Sequence, residues 1–138
     1  MTEAGDAAEH RQMGRKHVFV VNGAPEFLGL MRELLQAEEF NVTTTNYVPE
    51  TFDMVASLGP DLLVVDLELG QQAGWDLLER LREGAITRGI PVILVSTNER
   101  QLDRAQADAE RYGQHRVIVK PFDIDDLVAT VHDIIGRA

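Results

Sequence analysis

The chain has 138 residues and a formal net charge of −10, which suits one domain with an apolar core and disfavours direct binding to nucleic acid. It contains no cysteine, so disulfide bridges and thiolate metal sites are excluded and a reducing, cytoplasmic location is expected. The longest apolar runs, 18–21 and 90–95, are too short to span a membrane.

The predicted elements begin after a polar N-terminal segment. Residues 1–16 carry charges of both signs and no periodicity, so we expect a flexible arm there. Five short runs rich in Val, Ile, Leu or Thr then predict strands at 17–21, 41–45, 61–65, 91–96 and 116–120. All except the second are nearly continuous in hydrophobicity, which is typical of strands covered on both faces.

The stretches between these strands show helical periodicity. Apolar residues recur at three-to-four spacing within 27–35, 52–56, 75–81 and 127–135. The stretch 99–112 is the most polar and is predicted to be the most loosely held helix. Strands that alternate with crossovers of this length predict right-handed βαβ units and a parallel sheet between two helix layers. We therefore expect a single α/β domain over residues 17–138.

Polar residues end three of the predicted strands, where ligands of such sheets gather. They are Asp66, Ser96 and Lys120, which together could handle a phosphoryl group. Taken singly, the aspartate is typical of a turn or helix cap, and the serine of a hydroxyl that satisfies nearby backbone. The first strand is followed by Asn22-Gly23, where such chemistry would favour acidic residues.

Three separated motifs carry a resemblance to a known family. They are VVDLELGQQAGWDLL around Asp66, IPVILVST ending after Ser96, and VIVKPFDIDDLV around Lys120-Pro121. In this order and spacing, residues 17–136 resemble the receiver domains of bacterial two-component response regulators. The resemblance implies a flavodoxin-like (βα)5 three-layer sandwich with a parallel five-stranded sheet in the order 2-1-3-4-5.

The family's phosphoryl-handling residues are carried over by position. The resemblance implies that Asp66 is the phosphoacceptor, that the Ser96 hydroxyl bonds a phosphoryl oxygen, and that Lys120 pairs with the phosphoryl charge. Each of these roles is an expectation for this chain.

The expected metal site is altered. In the family, two acidic residues after the first strand bind Mg²⁺ together with the phosphoacceptor, and here Asn22 and Gly23 occupy those positions. Magnesium prefers carboxylate oxygens and water, so we expect a weak or absent Mg²⁺ site held by Asp66 and, at most, Glu68. A solvated loop side chain is the alternative role for Glu68.

The implied partners are a histidine kinase or phosphotransfer protein and a downstream protein, which would bind the surface formed by the fourth helix, fifth strand and fifth helix. A homodimer is left open. The family usually has an aromatic residue three positions before the lysine, where this chain has Val117. Basic side chains available on that surface are Arg100, Arg104, Arg111, His115 and Arg116, although solvation and pairing with nearby acids explain them equally well.

Two functional hypotheses follow. The first is a stand-alone receiver-type module of a phosphorelay with impaired magnesium-dependent phosphorylation of Asp66, and no enzymatic activity beyond that self-catalysed transfer. The second is a pseudo-receiver that acts only through protein–protein interaction. A nucleotide-binding role is excluded because no glycine-rich phosphate loop follows a strand.

Overall fold

A computed structural model describes residues 15–21, 25–46, 50–67, 72–96, 98–108, 110, 116–119 and 123–136. The predicted arm at 1–16 lies almost wholly outside these ranges. The strands are β1 His17–Val21, β2 Asn41–Thr45, β3 Leu62–Asp66, β4 Val92–Ser96 and β5 Arg116–Val119. The helices in the same ranges are α1 Pro25–Ala37, α2 Thr51–Leu58, α3 Gln72–Glu83, α4 Glu99–Ala107 and α5 Ile124–Ile135.

The five strands form one parallel sheet in the order β2-β1-β3-β4-β5. This confirms the predicted flavodoxin-like topology. The order changes direction between β1 and β3, because the chain adds β2 on one side of β1 and β3, β4 and β5 on the other. In open parallel sheets such a point is where ligands bind at the carboxyl ends of the strands.

Successive residues of the central strands belong alternately to two separate buried clusters. On one face, Phe19 and Leu63 belong to a buried cluster with residues from α2, α3 and α4. On the other face, Val20 and Val64 belong to a cluster with residues from α1 and α5. The two-residue period of a strand sends successive side chains to opposite faces, so the domain is a three-layer sandwich.

The edge strand β5 is less covered than its sequence suggests. Arg116 and Val119 are exposed, and the two residues between them are only partly buried. The prediction that this apolar run is covered on both faces is wrong. Among the described strands, β5 lies at the edge of the sheet beside β4, whereas β3 lies between two neighbours.

The start of β3 is set by a side chain rather than by hydrophobicity. The Asp61 carboxylate accepts a hydrogen bond from the backbone N–H of His17 at 2.7 Å. Asp61 therefore bridges to β1 just before the strand, which begins at Leu62 and ends at Asp66. The strand lies one residue later than predicted at both ends.

Helix α1 ends in a Schellman motif. The Phe40 N–H donates to the Leu35 carbonyl at 3.0 Å, and the Glu39 N–H donates to the Gln36 carbonyl at 2.9 Å. Glu39 adopts the left-handed conformation with φ 69°, at the position where glycine is usual. Phe40 and Leu35 are both buried in the same cluster, as this motif requires.

Replacing Glu39 by glycine is expected to stabilise the fold. A left-handed residue with a Cβ costs about 1 kcal/mol or more, whereas the exposed Arg15–Glu39 ion pair at 3.8 Å contributes little. We expect Glu39→Gly to raise the free energy of unfolding in urea by about 0.5–1 kcal/mol. Glu39→Ala, the matched control, loses the same ion pair without relieving the strain. Equal stabilities for the two variants would contradict this assignment.

His17 makes stability depend on pH. Its Nε2 lies 2.7 Å from Thr43 Oγ1. Burial lowers the pKa of His17 below 6.5, and the Asp61 carboxylate opposes this effect only in part. The unfolded chain therefore binds a proton more readily than the folded chain does.

We expect the free energy of unfolding to fall as the pH drops from about 6.5 toward the lowered pKa of His17, by at most about 1.4 kcal/mol per pH unit. Urea unfolding of the wild type and His17→Gln over pH 5.5–7.5 measures this, because the two proteins differ in no titratable group except His17. Parallel profiles for the two proteins would show that His17 is not the titrating group.

Candidate functional site

Two of the predicted site residues lie side by side at the carboxyl edge of the sheet. Asp66 is the last residue of β3 and Ser96 the last residue of β4, with 1% and 0% of their surfaces exposed. The register pairs Asp66 with Val95, so Ser96 lies one position further along the neighbouring strand. A carboxylate and a hydroxyl are thereby held by two buried strands rather than by loops.

Lys120, Glu68, Asn22 and Gly23 lie outside the described residues. The described residues that precede two of them in the sequence lie at the carboxyl edge of the sheet. Val119, which precedes Lys120 in the sequence, pairs with Ser96, and Val21, which precedes Asn22, pairs with Val65 next to Asp66.

The donor set does not fit a magnesium site built from three carboxylates. Within the described part of the chain, no group of three His, Cys, Asp or Glu residues could hold a metal ion. The residues that follow β1 in the sequence are an amide and a glycine, and glycine offers no side-chain oxygen. Of the three positions that the resemblance assigns to the metal site, only Asp66 is a carboxylate in this sequence.

Ser96 is connected directly to the start of α4. Its Oγ accepts a hydrogen bond from the Asn98 N–H at 3.0 Å. The Asn98 side chain in turn accepts from the Arg100 N–H at 2.9 Å and caps the helix. Sequence analysis did not identify Asn98, although asparagine immediately before a helix is a favoured N-cap. The hydroxyl at the site and the first turn of α4 thus belong to one hydrogen-bonded chain.

A second contact joins α4 to α3. The Arg104 guanidinium carbon lies 4.2 Å from the centroid of the Trp75 ring, which is a cation–π arrangement. Trp75 is 3% exposed and belongs to the same apolar cluster as Leu102. Sequence analysis left two roles open for Arg104, a charge for a partner or a solvated side chain paired with nearby acids. The structure shows in addition that its guanidinium packs on a ring of the same chain.

An open cleft of about 650 Å³ lies at the opposite, amino-terminal edge of the sheet. His17, Thr43 and Asp61 are among the residues that line it. These side chains bond within the protein: His17 Nε2 to Thr43, and Asp61 to the His17 N–H. The cleft is far along the strands from Asp66 and does not contribute to the candidate site. No helix among the described residues is long and apolar enough to cross a membrane.

Comparisons with known proteins agree with this architecture. The family model described as "Response regulator receiver domain" matches residues 18–132. The chain is 30% identical over 121 residues to the transcriptional regulatory protein CpxR of Escherichia coli K12. This alignment covers 88% of this chain and 50% of that protein. It is 29% identical over 105 residues to the cell cycle response regulator CtrA of Brucella abortus. This alignment covers 76% of this chain and 44% of that protein.

Solved structures show the same fold at lower identity. The chemotaxis response regulator CheY4 of Vibrio cholerae superposes with a TM-score of 0.76 at 17% identity, covering 87% of this chain and 98% of that chain. The chain spans about half the length of the curated relatives that it matches.

The Asn98 cap is expected to stabilise α4 without affecting the rest of the domain. Asn98→Ala removes the acceptor for the Arg100 N–H, a loss of about 1 kcal/mol of helix stability. Because Leu102 is the one buried side chain among those that the structure describes in α4, we expect faster amide hydrogen exchange confined to α4. Gln106→Ala, in the exposed last turn of the same helix, is the control. Wild-type protection in Asn98→Ala would contradict the capping role.

Proposed function

We propose that this chain, which belongs to the response regulator receiver domain family, serves a two-component phosphorelay with impaired magnesium-dependent phosphorylation of Asp66. The adjacency of Asp66 and Ser96 at the carboxyl edge carries this proposal. A histidine kinase or a phosphotransfer protein would supply the phosphoryl group, and a downstream protein would receive the signal.

The chemistry requires few parts. A carboxylate oxygen of Asp66 attacks the phosphorus of the donor and forms a P–O bond. The bond from phosphorus to the donor's nitrogen or oxygen breaks, and the leaving group takes up a proton from water. The Ser96 hydroxyl can donate to a phosphoryl oxygen, and Lys120 supplies a positive charge that offsets the phosphoryl charge. In such transfers the protein acts chiefly by positioning and by electrostatic stabilisation.

Asn22 and Gly23 replace the acidic pair, and for this reason we expect weak magnesium-dependent phosphorylation of Asp66. With Asn22 and Gly23 in place of two acidic residues, the summed charge of these two positions and Asp66 is about −1 instead of about −3. At roughly 5 Å and an effective dielectric constant of about 20, each carboxylate attracts a divalent ion by about 6 kcal/mol before desolvation. Even a small part of that energy corresponds to orders of magnitude in affinity. Glu68 is the side chain that could compensate in part.

A phosphorylation-independent binding module is the second candidate. Two departures from the family pattern favour it. The acidic pair is missing, and Val117 stands where the family usually has an aromatic residue. In this case the site would be structural, and the surface of α4, β5 and α5 would bind a partner in one state. Val119 and Ile124, both 39% exposed, supply apolar area there. CpxR is called a transcriptional regulatory protein, and the matched half of it carries no such role over to this chain.

We expect acetyl phosphate with magnesium to label the wild type at least tenfold less than the double variant Asn22→Asp/Gly23→Asp, because that variant regains two ligand carboxylates. Mass spectrometry of the intact protein and of its peptides measures the phosphoryl group at Asp66. Asp66→Asn in both backgrounds is the control and should abolish the label.

Stoichiometric, magnesium-dependent labelling of the wild type at cellular magnesium concentrations would refute the impairment. Absence of the label in the double variant as well would favour the binding module over the phosphoacceptor.

A further inference from the structure

The cleft at the amino-terminal edge of the sheet contains two opposite charges. Arg15 and Asp61 both line this space of about 650 Å³. Burial lowers the pKa of His17 below 6.5, so the third titratable side chain among the described lining residues is neutral at pH 7. The Arg15 guanidinium lies 3.8 Å from the Glu39 carboxylate, which is too far for a hydrogen bond. One oxygen of Asp61 accepts from the His17 N–H. Both charged groups therefore retain hydrogen-bonding capacity.

A buried donor without a partner belongs to the same cleft. Asn41, the first residue of β2, lines the cleft, and within the described part of the chain its Nδ2 has no hydrogen-bond partner. A buried N–H group that is left unpaired destabilises a fold, and such groups are rare in native proteins. An acceptor oxygen from outside the chain would satisfy it. Because Nδ2 is covered, we expect exposed side chains of the cleft, such as Gln36, to shift when that oxygen binds.

The backbone of β2 adds a donor and an acceptor. Among the described strands, β2 lies at the edge of the sheet. The Asn41 N–H donates to the Lys16 carbonyl at 2.9 Å, so the backbone groups of Asn41 face β1. Backbone groups of the next residue in a strand point to the other side. The N–H and C=O of Val42, which also lines the cleft, therefore face the open edge. Leu58, 48% exposed, supplies an apolar wall.

We propose that this cleft binds a free α-amino acid with an aliphatic side chain. The ligand carboxylate accepts from Arg15 and from the Asn41 amide, and the ligand ammonium group donates to Asp61. The aliphatic side chain lies on Leu58, and the backbone of Val42 offers one more donor and acceptor.

Charge complementarity favours a zwitterion over a simple ion. An anion without a cationic group would face the Asp61 carboxylate, and the formal net charge of −10 would also repel it. A cation without an anionic group would face Arg15 and leave the Asn41 amide unpaired. The cleft lies at the edge of the sheet opposite Asp66, so this inference does not rest on the proposed function.

Isothermal titration calorimetry of the full chain with L-leucine at neutral pH tests the ligand class. Isopentylamine lacks the carboxylate of leucine, and 4-methylpentanoate lacks its ammonium group, so the two are matched control ligands. We expect a Kd for L-leucine below about 1 mM, and binding about tenfold weaker or less for each control ligand. L-leucine should also raise the Tm of the chain, because it binds the folded state.

Two variants test the site. Asn41→Leu keeps the size of the side chain and removes the unpaired donor. We therefore expect it to raise the Tm without ligand by a few degrees and to weaken leucine binding about tenfold or more. Arg15→Gln should weaken binding to a similar extent while the Tm without ligand stays near that of the wild type. Arg88→Gln, which changes an exposed arginine outside the cleft lining, is the matched control and should bind leucine as the wild type does.

Three results would overturn the proposal. The first is the absence of both binding heat and a Tm increase at about 10 mM L-leucine. The second is equal affinity for leucine and either control ligand, which would show that the two charges are not recognised together. The third is an Asn41→Leu variant that is more stable than the wild type yet binds leucine equally well, because the unpaired amide would then have no part in binding.

Discussion

Parallel pairing of β3 with its two neighbours holds the candidate site in place. All five residues of β3 are buried, and β1 and β4 flank it on either side. A slip of one residue would exchange the two faces of the strand and carry the carboxylate of Asp61 or Asp66 into a position that Leu62 or Val65 now fills in an apolar core. Because Asp66 ends this strand opposite Val95, the register that fills the cores also brings Asp66 beside Ser96. The register of β3 therefore determines both the packing of the cores and the geometry of the site.

This constraint places a carboxylate where water scarcely reaches it. Burying an ionised carboxylate is costly unless hydrogen bonds or a positive charge compensate. Three carboxylates in such a place would also repel one another, and a bound cation would relieve that repulsion. With Asn22 and Gly23 in the sequence, one carboxylate is left at those positions. If the proposed function holds, Asn22 and Gly23 therefore lower both the affinity for magnesium and the repulsion that a bound cation would relieve.

The sequence was sufficient for the parts of the structure that depend on local pattern. Continuous Val, Ile and Leu runs predicted β1, β3 and β4 within one residue, because burial on both faces demands such runs. The convergence of strand ends likewise predicted Asp66 beside Ser96. The exposure of β5, the left-handed Glu39 and the Arg104–Trp75 stack were not predicted. The exposure of β5 and the Arg104–Trp75 stack depend on which distant element comes to lie alongside, and the pattern of one segment does not contain that information. The left-handed Glu39 belongs to a local Schellman motif, but the glycine that usually signals this motif is absent from the sequence there.

The described side chains of α4 bury little apolar surface against the core. Moving a helix with several fully buried side chains would cost many kcal/mol, since each contributes about 1.5–3 kcal/mol. Among the side chains of α4 that the structure describes, Leu102 is buried and Arg104 stacks on Trp75, and the Asn98 N–H before the helix is bonded to Ser96. A hydrogen bond and a cation–π contact are each worth about 1 kcal/mol. A change of that size in either contact is therefore a sizeable part of what holds this described portion of the helix.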